Sequence, residues 1–83
     1  MIREIKLKEP INIDGHTVET IKIRSPKVKD IKDAMLAAKD DPMEGEIALI
    51  AKLSELTIEQ VEEMEMANYV LLQEAVSDFL GRK

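Results

Sequence analysis

Residues 1–24 alternate apolar and charged side chains with the period of two that is typical of a half-buried β-strand. The alternation is interrupted by Asp14-Gly15, a pair that favours a two-residue hairpin turn because glycine accepts a positive φ. This pattern predicts two antiparallel strands joined by a tight turn. Two strands alone are marginally stable in water, so helices must cover the apolar face of the hairpin. The apolar positions are Ile5, Leu7, Ile11, Ile13, Val18, Ile21 and Ile23.

The pairing of the two strands requires an irregularity in the first of them. A two-residue turn pairs Ile11 with Val18, but it then sets Ile21 opposite a lysine. Skipping one residue in the first strand sets Ile21 opposite Leu7 instead. Pro10 lies where the skip is needed, and proline is tolerated at bulges because it has no N–H group to lose from the ladder. We therefore predict a bulge near Pro10, with a longer turn as the alternative that would also correct the pairing.

Three helix-start signals follow the hairpin. Ser25-Pro26 offers a hydroxyl cap and then proline, which is favoured at the first helical position. Asp41-Pro42 repeats this arrangement at the start of a second helix. Thr57 and Gln60 have the spacing of a capping box, which predicts a third helix. That third helix is short, because the apolar pattern restarts near Met66 in a fourth.

The helical segments carry apolar stripes at helical spacing, and Gly81 is a natural C-cap for the last of them. The pattern predicts an α+β fold, with an N-terminal β-hairpin packed against a C-terminal bundle of three to four short helices. Residues 1–83 are expected to form a single domain, with the hairpin in 1–24 and the helical part in 25–83. The stripes are Val28, Ile31, Met35 and Ala38, then Met43, Ile47, Ile50 and Ala51, and finally Tyr69, Leu72, Val76, Phe79 and Leu80.

The composition offers little material for chemistry. The chain of 83 residues contains no cysteine and one histidine, so disulfides, thiolate nucleophiles, structural zinc sites and multi-histidine metal sites are excluded. His16 has no serine, cysteine or second histidine placed to complete a proton relay, and we interpret it as a solvated turn residue. The sequence therefore predicts that the protein is not an enzyme, with no catalytic, cofactor-binding or metal-binding residues and no cofactor.

Negative charge is concentrated in the second half of the chain. Residues 1–40 carry nine basic and seven acidic groups, whereas residues 41–83 carry three and ten, which gives the net charge of −5. An acidic half repels a phosphate backbone, and the two aromatic residues are too few for base stacking, so no nucleic-acid partner is expected. No apolar run approaches the length of a membrane-spanning helix, and no signal-peptide pattern is present, so a cytoplasmic protein without a membrane partner is expected.

One group of side chains points away from the predicted core. Val70 and Leu71 lie off the stripe of the last helix, and Met64 and Met66 come just before them. Exposed methionine and aliphatic side chains can adapt to a partner helix, so we predict that these four residues bind a protein partner. The alternative is that the last helix is central to the fold and these side chains are part of its core. The small core also leaves weak self-association open.

The order of several motifs resembles the small tail assembly chaperones of contractile-tailed, Mu-like phages and prophages. The hairpin with its Asp-Gly turn is followed by the run IRSP at 23–26 and by Asp30-Ile31. The similarity spans nearly the whole chain. Its later parts are the run LTIEQVEEM at 56–64, then Asn68-Tyr69 and the run FLG at 79–81. The chain departs from the family pattern at Ala67-Asn68, where an acidic residue is common.

The resemblance implies a non-enzymatic protein of the infected or lysogenic bacterium. It would act in the host cytoplasm, bind the long helical tape measure protein, keep it soluble while the tail tube polymerises, and be absent from the mature virion. A longer form made by ribosomal frameshifting would be a further partner. The alternatives are a structural tail or baseplate component and a small protein-binding adaptor of a bacterium. A DNA-binding regulator and an enzyme agree less well with the charge and composition.

Overall fold

An antiparallel β-hairpin and four helices make up the fold, in the order that the sequence predicts. The computed structural model describes residues 1–81. The elements are β1 (Ile2–Ile13), β2 (His16–Arg24), α1 (Val28–Ala38), α2 (Pro42–Ser54), α3 (Ile58–Glu62) and α4 (Met66–Phe79). This α+β architecture, with an N-terminal hairpin and a bundle of short helices, confirms the predicted fold class.

The hairpin turn has the predicted two-residue geometry. Asp14 and Gly15 both adopt positive φ, of 51° and 83°, as the mirror-image turn that matches strand twist requires. The Asn12 side chain supports the turn, because its Oδ1 accepts a hydrogen bond of 3.0 Å from the Gly15 amide. Ile13 and His16 flank the turn as a directly opposed pair.

The register shift lies where the sequence predicts it but is larger. Ile11 pairs with Val18 near the turn, whereas Ile21 pairs with Ile5 rather than with the predicted Leu7. Residues 7–10 of β1 therefore lie opposite residue 19 alone, so β1 contains three extra residues instead of one. Only an odd number of extra residues sets Ile21 opposite an apolar side chain, and both one and three satisfy that condition. The predicted bulge near Pro10 is confirmed, and its predicted size is wrong.

The core lies between the hairpin and the helices. α4 packs on β1 and α2 packs on β2, while α1 and α3 pack on the sides of α2. Burial of this apolar surface is the main stabilising contribution to a fold of this size. The buried apolar side chains are Leu7, Ile21, Ile23, Leu49, Ile50, Ala51, Leu53, Val61, Met64, Tyr69, Leu72, Ala75 and Val76.

The start of α2, the start of α3 and the end of α4 follow the local signals in the sequence. The Asp41 carboxylate caps α2 by accepting a hydrogen bond of 3.0 Å from the Met43 amide, and Pro42 occupies the first helical position. Thr57 and Gln60 exchange the two hydrogen bonds of a capping box at the start of α3, at 2.9 and 3.0 Å. Gly81 follows α4 with a φ of 77°, the left-handed conformation that ends helices.

The predicted start of α1 is wrong. The helix begins at Val28, and the Ser25 hydroxyl accepts a hydrogen bond of 3.3 Å from the N-terminal ammonium instead of capping the helix. The Asp30 carboxylate lies at the helix start and accepts a hydrogen bond of 2.8 Å from the Lys27 amide. Asp30 therefore binds the amide of the residue that precedes the helix, and no side chain of residues 1–81 caps the first turn of α1.

The apolar stripe predicted for α1 is only partly covered. α1 packs mainly against α2, through Ala34, Ala38 and Gly45. Val28 and Met35, which belong to the stripe, are exposed to 86% and 71%. Half of the stripe is therefore an exposed apolar surface, whereas Ile31 and Ala38 are half-buried and Ile31 packs against the core.

Replacing Gly45 with alanine is expected to lower the free energy of unfolding by about 1 kcal/mol, although alanine favours helices over glycine by about the same amount. A Cβ atom at Gly45 would lie 2.8 Å from the Ala38 Cβ and 3.1 Å from the Ala34 carbonyl oxygen. Urea unfolding of Gly45→Ala, Ala38→Gly and the double variant measures this contact. We expect the double variant to lose less free energy of unfolding than the sum of the losses in the two single variants. A Gly45→Ala protein more stable than the wild type would contradict the close packing of α1 on α2.

Candidate functional site: three apolar hollows on the helical face

The four residues predicted to bind a partner lie in different environments. Met66 and Val70, one turn apart on α4, are exposed to 61% and 40%. Leu71 is half-buried, and Met64 is only 9% exposed and belongs to the core. Met66 and Val70 are therefore accessible to a partner from the surface, whereas Met64 contributes mainly to folding.

Met64 and Met66 nevertheless meet at one small hollow between α2, α3 and α4, which we call the methionine hollow. Its volume is about 140 Å³. Met43, which is 46% exposed, lies with Met66 at its opening. The other lining residues are Ile47, Val61, Glu62, Met64 and Tyr69. Flexible thioether side chains at the opening can adapt to apolar groups of different shapes.

A second, larger hollow lies between α1 and the end of α4, and we call it the α1–α4 groove. Its volume is about 300 Å³, and Glu46 is the one charged residue in its lining. Met35 on α1 and Leu80 after α4 are the exposed apolar residues along it. The lining also includes Ile31, Ala34, Ala38, Pro42, Gly45, Leu49 and Val76. Sequence reasoning missed this groove, because the α1 stripe was expected to be covered.

The third hollow is the largest and differs in charge. It lies between the bulged part of β1 and the segment that joins α3 to α4, and we call it the hairpin groove. Its volume is about 420 Å³. Its floor is apolar, and four glutamates lie around it. The lining consists of Glu9, Pro10, Ile11, Asn12, Ile13, Glu59, Gln60, Glu63, Met64, Glu65 and Asn68.

Asn68 fixes the shape of the hairpin groove. It is fully buried, and its Oδ1 accepts hydrogen bonds from the amides of Lys8 and Glu9, at 2.9 and 3.1 Å. Its Nδ2 donates a hydrogen bond of 2.8 Å to the Glu9 carbonyl oxygen. One amide side chain thus satisfies three backbone groups that the bulge removes from the strand ladder. The available signal in the sequence was its position four residues before Leu72, on the buried side of α4.

Asp30 joins three elements of the fold. Its carboxylate accepts two hydrogen bonds from Arg24, at 2.7 and 3.0 Å, and lies 3.2 Å from the Lys52 ammonium. The Arg24 guanidinium, followed by the Lys27 amide and Lys52, holds the pKa of this buried carboxyl well below its usual range. The end of β2, the start of α1 and the end of α2 are therefore connected by one charged cluster.

A second polar contact joins α2 to α4. The Tyr69 hydroxyl donates a hydrogen bond of 2.6 Å to the Glu46 carboxylate, which also accepts one of 2.7 Å from Gln73. Burial, together with the hydrogen bond to Glu46, raises the pKa of the Tyr69 hydroxyl above its usual value. The group remains protonated at neutral pH and acts as a hydrogen-bond donor between the two helices.

The polar contacts of residues 1–81 connect elements of the fold and do not converge on a cleft with a nucleophile and a base. Across the same residues, no group of three or more histidine, cysteine, aspartate or glutamate side chains is arranged to bind a metal ion. None of the helices in the described part of the chain is long and apolar enough to cross a membrane. Exposed apolar hollows beside charged residues are typical of surfaces that bind other proteins.

Comparison with known families identifies the class more closely. The family model described as phage tail assembly chaperone proteins, E, or 41 or 14, matches residues 4–81. The chain belongs to this family, which confirms the resemblance seen in its motifs. No curated protein and no solved structure matches the chain. Membership supports a role in tail assembly with a protein partner, and it indicates a non-catalytic protein.

Proposed function

We propose that this protein binds the tape measure protein and keeps it soluble while the tail tube assembles around it. A tape measure protein consists of long amphipathic helices, which aggregate when their apolar faces are unpaired. Its chaperone requires an accessible apolar surface that accepts a helix and a charged surface that keeps the complex in solution. The protein acts in the cytoplasm of the infected or lysogenic bacterium and is absent from the mature virion.

The α1–α4 groove is the observation that carries this proposal. An amphipathic helix binds a groove by placing apolar side chains at helical spacing along an apolar floor. The groove provides such a floor with Ile31, Leu49 and Val76, and the exposed side chains of Met35 and Leu80 lie along it. The free protein leaves these two side chains in water, and a bound helix would remove them from it.

The exposed part of α4 is a second contact surface in this proposal. Met66 and Val70 lie one turn apart, and Met66 opens into the methionine hollow with Met43. Met64 is buried and Leu71 is half-buried, so these two residues expose less surface to a partner than Met66 and Val70 do. The net charge of −5 favours solubility of the complex.

The proposal is tested by co-expression with the tape measure protein of the same phage or prophage. The tape measure protein should be insoluble alone and soluble when co-expressed, and the two proteins should co-elute from a size-exclusion column. A tape measure protein that stays insoluble in the presence of this protein would contradict the proposal. Recovery of this protein in purified phage particles would instead favour a structural tail component.

Replacing Met35 and Leu80 together with serine should reduce the co-eluting tape measure protein about tenfold or more, because the groove loses apolar area that the bound helix covers. Both side chains are exposed in the free protein, so the melting temperature should change by no more than about 3 °C.

The matched control replaces Val28 and Leu36 with serine. Both residues are apolar and exposed, to 86% and 70%, and they lie on α1 as Met35 does, but they do not line the groove. The control should retain wild-type binding. Equal losses in the two double variants would show that α1 contributes general hydrophobicity and that the groove is not the binding site.

A further inference from the structure

The hairpin groove combines an apolar floor with an acidic border. The apolar floor consists of Pro10, Ile11 and Ile13 of β1 and the buried Met64. The volume of the groove, about 420 Å³, is within the range of small binding sites. The floor is rigid, because Asn68 fixes the backbone of the bulge with three hydrogen bonds. A preformed site of this kind loses little conformational entropy when it binds a partner.

The charged residues that line this groove are all negative. Glu9, Glu59, Glu63 and Glu65 line it, all four are exposed, and its lining contains no lysine or arginine. The ion pairs found among residues 1–81 involve other carboxylates, namely Asp30, Asp33 and Asp78. Like charges placed around one hollow repel each other, and a cation bound there would relieve that repulsion.

We propose that the hairpin groove binds a basic segment of the protein partner, in which an apolar side chain is flanked by lysine or arginine. The apolar side chain would contact the floor beside Ile13 and Met64, and the flanking cations would lie near Glu63 and Glu65. This inference rests on the proposed function for the source of the segment, which is the tape measure protein. The charge requirement distinguishes this groove from the α1–α4 groove, where apolar area is the main feature.

The direct test uses a short synthetic peptide in which leucines are flanked by lysines, measured by fluorescence anisotropy against the full-length protein. The Glu63→Gln/Glu65→Gln variant should bind this peptide about fivefold to tenfold more weakly than the wild type, since two exposed ion pairs are lost. The difference should shrink as salt is added, because ions screen exposed charges. A peptide with serine in place of leucine should also bind more weakly, since the floor is apolar.

The matched control is Glu19→Gln/Glu74→Gln, which removes two exposed carboxylates outside the groove and changes the net charge equally. It should bind the peptide like the wild type. Equal weakening in both variants would overturn the proposal, because only net charge would then matter. Glutamate-dependent dimerisation of the protein alone at low salt would also overturn it, since the occupant would be a second copy of the chain.

The peptide assay separates this inference from the proposed function. If the wild type co-elutes with the tape measure protein and the Glu63→Gln/Glu65→Gln variant co-elutes equally at low salt, the groove proposal fails and the chaperone proposal remains. If the wild type binds the basic peptide through these glutamates but does not solubilise the tape measure protein, the groove binds basic segments and the proposed partner is wrong.

Discussion

Replacing Asn68 with alanine is expected to lower the free energy of unfolding by about 3 kcal/mol. The side chain makes three hydrogen bonds to the backbone of Lys8 and Glu9 and is fully buried. Alanine leaves two amides and one carbonyl oxygen without these partners. Urea unfolding followed by circular dichroism measures the change.

Two reference variants give this prediction its specificity. Asn68→Asp keeps an acceptor for both amides, but it buries a carboxylate and places an oxygen where Nδ2 donates to the Glu9 carbonyl oxygen, so near neutral pH it should be at least as destabilising as alanine. Asn12→Ala removes an exposed side chain with one hydrogen bond at the turn, and it should cost about 1 kcal/mol or less. An Asn68→Ala protein as stable as Asn12→Ala would show that water replaces the three hydrogen bonds.

Replacing Asp30 with asparagine is the second large expected effect, a loss of about 2 kcal/mol near neutral pH. The carboxylate is buried and receives two hydrogen bonds from Arg24, one from the Lys27 amide and an ion pair with Lys52. Arg24 and Lys52 are partly exposed, so they regain some hydration when the carboxylate is removed. This recovery keeps the expected loss below that of a fully buried ion pair.

The pH dependence of the same variant follows from the lowered pKa of Asp30. Because the folded pKa lies below the ordinary value of 3.8, this group binds more protons in the unfolded state at acidic pH. Its contribution is complete above the ordinary pKa and is lost as the pH falls below it. The stability difference between the wild type and Asp30→Asn should therefore shrink below about pH 4.

Asp33→Asn is the matched control for Asp30→Asn. Asp33 also contacts Lys52, at 2.6 Å, but it lies on the exposed side of α1. We expect little change in stability, because exposed ion pairs contribute little. A difference between the wild type and Asp30→Asn that stays constant into acid would contradict the assigned role of the Asp30 charge.

Local signals in the sequence predict the turn and the helix starts that depend on neighbouring residues. Asp14-Gly15 determines its own turn, and the Thr57–Gln60 capping box requires only the first turn of α3. Local signals do not predict the size of the bulge, because the backbone of the bulge is stabilised by Asn68, which is about sixty residues away in the chain. Parity of the apolar positions requires an odd number of extra residues but does not distinguish one from three.

Helical spacing likewise predicts only part of the candidate site, because the rest depends on contacts between distant parts of the chain. The stripe of α4 correctly leaves Met66 and Val70 outside the core. Met64 follows the short α3, where the chain direction changes, so helical spacing does not indicate its burial. The exposure of Met35 depends on α1 packing against α2 with little other cover, which a stripe within α1 does not reveal.

The most direct measurement is amide hydrogen exchange, followed by mass spectrometry, on the protein alone and after co-purification with the tape measure protein. We predict slower exchange in the complex at residues 31–38 of α1 and at residues 76–80, at and just after the end of α4, because a bound helix covers the α1–α4 groove. Residues 16–24 of β2 should exchange at the same rate in both samples. Unchanged exchange at residues 31–38, or failure of the two proteins to co-purify, would contradict the account.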